Sequence, residues 1–121
     1  GEAVYQAAEA TSRESLQQLL AATLAHFGRA DILVNCAGVN SATPYEEISD
    51  EDWSRVLDTN LTATHLGCQV FAPHFAKNEH GGAILNITSS QSRGPGRGPY
   101  PLEPVVDAGV MYGASKWIHS G

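Results

Sequence analysis

The sequence predicts an α/β fold built on a parallel sheet, and three observations predict it. Short apolar runs alternate with longer segments of helical periodicity, in the order strand, helix, strand, helix, strand, helix. Two of the runs, Ile32–Val34 and Ala83–Ile87, are short and mostly apolar without polar alternation, the pattern of buried strands. Both long helical segments open on a hydroxyl residue with an acid three positions on, the signature of a helix start.

Taken in order, Ala3 to Ala8 reads as a short mixed strand. Thr11 with Glu14 forms the first capping signature, and Leu16, Leu19, Leu20, Leu24 and Phe27 recur as one apolar stripe. Gly28 stops that helix, because glycine takes the left-handed cap without a Cβ penalty. After the Ile32–Val34 run, Ser41 to Glu47, with Pro44, reads as a loop. Ser49 with Asp52 is the second capping signature, and Asp50, Glu51 and Asp52 fall where a helix dipole favours anions. The stripe Trp53, Val56, Leu57, Leu61, Leu66, Val70 and Phe71 is too long for an average helix. It predicts a helix pair or one long helix, with Pro73 kinking or interrupting it. Gly81 and Gly82 end the segment before the Ala83–Ile87 strand. Gln91 to Gly109 holds four prolines and four glycines with little periodicity, so it reads as a long loop. Helical patterning resumes near Met111.

Composition narrows the function classes. Of 121 residues, 42% are hydrophobic and 17% charged, which excludes a disordered chain. Thirteen acids against seven bases give a formal charge of −6, which argues against nucleic acid, whose phosphates select clustered Lys and Arg. No stretch approaches the ~20 apolar residues of a membrane helix. Gly1 to Ala8 has no basic segment leading into an apolar run. Cys36 and Cys68 make neither a disulfide framework nor a metal quartet. The expected protein is soluble and cytoplasmic. Its His65, His74 and His80 are spaced nine and six apart, unlike ligands stacked on one helix face. Trp53 is expected as a core anchor.

The chemistry-bearing stations gather at strand ends. Asn35-Cys36-Ala37-Gly38 follows one strand, where ligands of open α/β sheets lie, and its small residues allow a flat ligand to approach the backbone. Asn86-Ile87-Thr88-Ser89 follows the next and brings Ser89 to the same edge. Tyr112 and Lys116 are four apart, which on a helix puts both side chains on one face. A cation beside a phenol favours the phenolate and lowers its pKa from ~10, making tyrosine usable as an acid or base near neutrality. Each station alone is an ordinary turn or a chance spacing.

Together and in this order, Asn35–Gly38, Asn60 within Asp58-Thr59-Asn60-Leu61, Ser89 after Asn86-Ile87-Thr88, and Tyr112-Gly113-Ala114-Ser115-Lys116 resemble the motifs of the short-chain dehydrogenase/reductase family. Phe27 to Val34 also resembles the family's approach to its Asn-Ala-Gly turn. The resemblance covers nearly the whole chain. It implies a Rossmann-like, doubly wound parallel sheet in three α/β/α layers. It implies NAD or NADP as cofactor and an alcohol interconverted with a ketone or aldehyde. The implied catalytic residues are Asn60, Ser89, Tyr112 and Lys116. Tyr112 would exchange a proton with the substrate oxygen, and Lys116 would lower the Tyr112 pKa and bond the nicotinamide ribose. Ser89 would hold the carbonyl, and Asn60 would keep a water that links Lys116 to solvent. Asn35, Ala37 and Gly38 would line the adenosine side. Glu9 stands where the family usually has an Asp that meets the adenine, and its side chain is one methylene longer. The implied partners are a small-molecule substrate and further copies of the chain, with no nucleic acid and no membrane.

Two departures shape the expectation. No segment resembles the family's opening strand and Gly-rich turn, which bring backbone N–H groups to the pyrophosphate, and only Trp117 to Gly121 follow Lys116, where the family adds further strands. Residues 1–121 are therefore expected to form a single partial domain of that fold, and the segment that separates NAD from NADP is missing. The alternative is a catalytically silent fragment that acts only in assembly or interaction. The second departure is the 23-position spacing from Ser89 to Tyr112. Its Gln91–Gly109 insertion is either a specificity lid carrying Arg93, Arg97 and Tyr100 or a solvated loop.

Overall fold

A computed structural model describes residues 1–41, 43–89 and 114–116. The first helix, α1, runs Arg13–Phe27. Its cap is Ser12, whose side chain accepts from the Ser15 amide, and not Thr11 as the spacing predicts. The reason is local competition. The Thr11 hydroxyl donates to Glu9 Oε1 at 2.8 Å, and the Ser15 hydroxyl accepts the Glu9 amide at 2.7 Å. Thr11 is thereby spent on the turn before the helix, and Ser12 is the next oxygen in reach. Gly28 ends α1 as expected, at φ 75°, with its N–H on the Leu24 carbonyl.

Strand β1 is Ile32–Asn35 and strand β2 is Ala83–Asn86. They pair in parallel, with Ile32 opposite Ala83 and Asn35 opposite Asn86. The ladder extends one bond past each end, Ala83 N–H to Asp31 O at 2.9 Å and Ile87 N–H to Asn35 O at 3.0 Å. Ala3 to Ala8 does not form the expected strand and is exposed. A strand exists only through hydrogen bonds to a neighbour, and β1 and β2 are the only strands among the described residues.

The long stripe folds as a single helical rod. Helix α2 is Asp50–Leu57, capped by Ser49 on the Asp52 amide, as expected. A π-helical turn, Asp58–Thr62, follows, and α3 runs Ala63–Phe75. Pro73 lies inside α3 without stopping it. It sits in the last turn, where the lost N–H costs one bond and the helix ends two residues later, at Phe75.

The core forms where α1 and α3 meet the sheet. Ala30, Phe71 and Phe75 are buried, with Leu19, Leu20, Leu24, Leu33, Val70 and Ile84 packed around them. Leu33 and Ile84 are cross-strand partners and share this face. Ile32, Val34, Leu85 and Ile87 alternate with them and stay exposed, Ile32 by 64%. The strands are therefore buried on one face only, because the helices of the described residues that pack on the sheet cover one side. Trp53 keeps 40% of its surface exposed and is not a core anchor. No described helix is long and apolar enough to cross a membrane. The Gln91–Gly109 loop lies outside the described residues.

Candidate active site

The parallel register sets the site. It places the carboxyl ends of β1 and β2 side by side, so the Cys36–Gly38 turn and the Ile87–Ser89 segment leave the sheet together. Cys36, Ala37 and Gly38 are exposed, and their small side chains leave the turn's backbone open. A Cβ on Gly38 would stand 3.4 Å from Asn60 Oδ1 and 3.5 Å from Lys116 Nζ. The turn, the long helix and the lysine therefore converge on this glycine.

Asn60 reaches this point because of the π turn. The wide turn, closed by the Ala63 N–H on the Asp58 carbonyl, sets Asn60 facing inward while the helix on both sides stays regular. Such turns occur often at functional sites. Asn60 is fully buried. Its Oδ1 accepts the Val39 N–H at 2.7 Å, and its Nδ2 donates to the Val39 carbonyl at 2.9 Å and to Ser115 Oγ at 3.0 Å. Thr64 Oγ1 donates to the Asn60 carbonyl at 3.2 Å.

Lys116 is 4% exposed, and its ammonium donates to the Ile87 carbonyl at 3.0 Å. A buried charge needs such a partner, since taking an ammonium out of water is costly. Ser89 is half-buried two residues beyond Ile87. Tyr112 lies outside the described residues.

Two of the expected cofactor-side residues make bonds within the protein. Asn35 Nδ2 donates to Asn86 Oδ1 at 2.9 Å and lies 3.7 Å from Cys68 Sγ. Its amide ties the two strand ends to each other and to α3, so the side chain serves the scaffold. Glu9 accepts the Thr11 amide at 3.1 Å and the Thr11 hydroxyl at 2.8 Å. These bonds, the backbone one first, hold its carboxyl below the usual glutamate range. Nearby, a cavity of about 200 Å³ lies between Ala8, Ala10, α1 and the end of β1, reaching Cys36 and Ala37.

Sequence reasoning missed Ser115 and Val39 as partners of Asn60. Their contacts span 55 and 21 positions, and nothing local signals them. It also missed the clamp on the loop after the turn. Asp52 Oδ2 accepts from the Ser41 hydroxyl and from Thr43 Oγ1 at 3.1 Å, and Oδ1 accepts from Arg55 Nη2 at 2.6 Å. Arg55 also reaches the Asn40 carbonyl at 3.4 Å. The Ser41 hydroxyl foremost, then Arg55, hold the Asp52 carboxyl below its ordinary value. Because the folded value lies below the unfolded ~3.9, this clamp stabilises fully above pH ~4 and is lost as pH falls through the folded value. The expected result is an Asp52 carboxyl carbon that titrates below ordinary aspartate. The thermal midpoints of wild type and Asp52→Asn should differ near neutrality and converge in acid. A titration midpoint at or above the ordinary value contradicts the clamp.

Among the described residues no group of three or more His, Cys, Asp or Glu side chains could hold a metal ion.

A family model described as short chain dehydrogenase matches residues 1–120. The chain is 42% identical over 97 residues to glucose 1-dehydrogenase 2 of Bacillus subtilis, covering 78% of this chain and 37% of that protein. It is 37% identical over 111 residues to D-threitol dehydrogenase of Mycolicibacterium smegmatis, covering 92% and 38%. Among solved structures, a short chain dehydrogenase from Mycobacterium smegmatis superposes with a TM-score of 0.76 at 30% identity, covering 91% of this chain and 42% of that one. A metagenomic short-chain oxidoreductase in complex with NADP superposes with a TM-score of 0.73 at 32% identity, covering 97% and 48%. The chain spans 31–38% of the length of the curated relatives it matches.

Proposed function

The chain belongs to the short-chain dehydrogenase/reductase family, and we propose that it serves an NAD- or NADP-dependent oxidoreductase interconverting an alcohol with a ketone or aldehyde. The observation that carries this reading is the convergence on Gly38. Asn60 and the buried ammonium of Lys116 meet there, at the carboxyl ends of two parallel strands, where ligands of open α/β sheets bind. The exposed Cys36–Gly38 turn fits a flat cofactor, since a Cβ on Gly38 would fill the space before Asn60 and Lys116. The relative solved in complex with NADP supports the cofactor class.

In this reading Asn60, Ser89, Tyr112 and Lys116 carry the chemistry. When bound, the nicotinamide supplies or accepts the hydride. Ser89 donates a hydrogen bond to the substrate oxygen and holds it. Tyr112 exchanges a proton with that oxygen, and the Lys116 ammonium favours its phenolate. Asn60 keeps a water that passes protons between Lys116 and solvent. Ala37 and Gly38 lie against the adenosine side, with Glu9 and Asn35 at its margin. Together these are fixed dipoles aimed at charge that develops on one oxygen. Residues 1–121 act as one partial domain, in the cytoplasm, within an oligomer.

A second reading, a silent fragment that works only in assembly, is favoured by the open sheet face of Ile32, Val34, Leu85 and Ile87. Titration with NADH and NADPH, read by energy transfer from Trp53 and Trp117, separates the two. Saturable binding, with hydride transfer from a panel of alcohols to NAD⁺ or NADP⁺, is the expected result. No binding at millimolar cofactor sinks the enzymatic reading and leaves assembly.

A further inference from the structure

We propose that Ser115 is a positioning residue for Asn60, an inference that rests on the functional reading above. The Asn60 carboxamide has two N–H donors and a carbonyl oxygen. Val39 takes one donor and supplies the oxygen's partner, at 2.9 and 2.7 Å. The remaining N–H goes to Ser115 Oγ at 3.0 Å. Both residues are fully buried, so water does not compete for that bond.

The position of Ser115 gives the bond its consequence. It directly precedes Lys116, and residues 114–116 are helical. Asn60 is bonded on one side to Val39, which follows Gly38, and on the other to the residue beside the lysine. Lys116 in turn is bonded to the Ile87 carbonyl beyond β2. The Ser115 hydroxyl thus closes a path from the turn after β1, through the π turn, to the ammonium and the end of β2. Alanine at 115 removes this acceptor from a buried N–H, and the carboxamide loses the bond that ties it to the helix carrying Lys116.

The test has a readout that needs no catalysis and one that does. In the whole protein, both Asn60 side-chain amide protons should be protected from solvent exchange by NMR, and Ser115→Ala should expose one of them. In turnover, Ser115→Ala should lower kcat by about ten- to a hundredfold, the effect of losing one buried hydrogen bond that orients an active-site group. In an Asn60→Ala background the same change should alter kcat by less than about twofold, because the path is already cut. A role confined to helix packing would lower kcat equally in both backgrounds, and that result overturns the proposal. So does an unprotected Asn60 amide in the wild-type protein, a measurement that needs no variant to fold. If the wild-type protein binds no cofactor and transfers no hydride, the functional reading fails. A protected amide that Ser115→Ala does not expose refutes the Ser115 bond on its own.

Discussion

Lys116→Met is expected to lower kcat by about 10²–10⁴-fold, the range assigned to one proton-transfer group. Methionine keeps much of the length and apolar bulk of the lysine stem and removes its charge and its hydrogen bond to the Ile87 carbonyl. Without that ammonium, the phenol of Tyr112 returns toward its ordinary pKa near ~10. The limb of the alcohol-oxidation profile that reports the phenolate should then move to higher pH. Lys116→Arg should not rescue the rate. The ammonium donates to the Ile87 carbonyl at 3.0 Å and stands 3.5 Å from where a Gly38 Cβ would lie. A planar, forked guanidinium needs more room than this point-like donor. Steady-state kinetics across pH, with circular dichroism to verify folding, checks both variants. A Lys116→Met protein with near wild-type turnover and an unmoved profile would remove the lysine from the mechanism.

What the sequence made legible was local chemistry. Ser49 caps α2 and Gly28 ends α1 because those choices involve only a few neighbouring residues. The same local logic misjudged Thr11, since two adjacent hydroxyls competed and Glu9 took one of them. Strands are less legible because they depend on a neighbour. Ala3–Ala8 has strand composition and forms no strand. The run Ile32–Val34 reads as a buried strand, yet Ile32 and Val34 are open and Leu33 alone turns into the core. Periodicity reports that a residue can be buried, not that an element is there to bury it. The site divides in the same way. Asn60 was found through its motif, but the three bonds that orient it come from positions 39 and 115. Asn35 was found by the same motif and given a ligand-facing place. Its amide bridges two strand ends, a use visible only once the parallel register sets it beside Asn86.

That register has a steric condition at its other end, and breaking it should produce a large stability loss. A Cβ on Gly82 would lie 2.4 Å from Phe75 Cγ, 2.7 Å from Phe75 Cβ and 2.9 Å from the Asp31 carbonyl oxygen. None of these can yield easily. The Phe75 atoms are the base of a core side chain, and the Asp31 oxygen accepts the Ala83 N–H that begins the β1–β2 ladder. Gly82→Ala must therefore push α3 from the sheet or break that first bond. The expected cost is about 3 kcal/mol, the upper part of the range for overpacking, with Tm lower by roughly 10 °C. Gly81→Ala is the internal comparison. Gly81 has φ 70° and open space around its missing Cβ, so alanine there costs only about 1 kcal/mol of backbone strain. The two adjacent glycines thus separate conformation from space. Thermal unfolding that gave Gly82→Ala no greater loss than Gly81→Ala would show that the approach of α3 to the start of β2 is looser than the distances imply. Because β2 carries Ile87 and Ser89 to the site from its far end, the same displacement should also lower turnover in Gly82→Ala and leave it unchanged in Gly81→Ala.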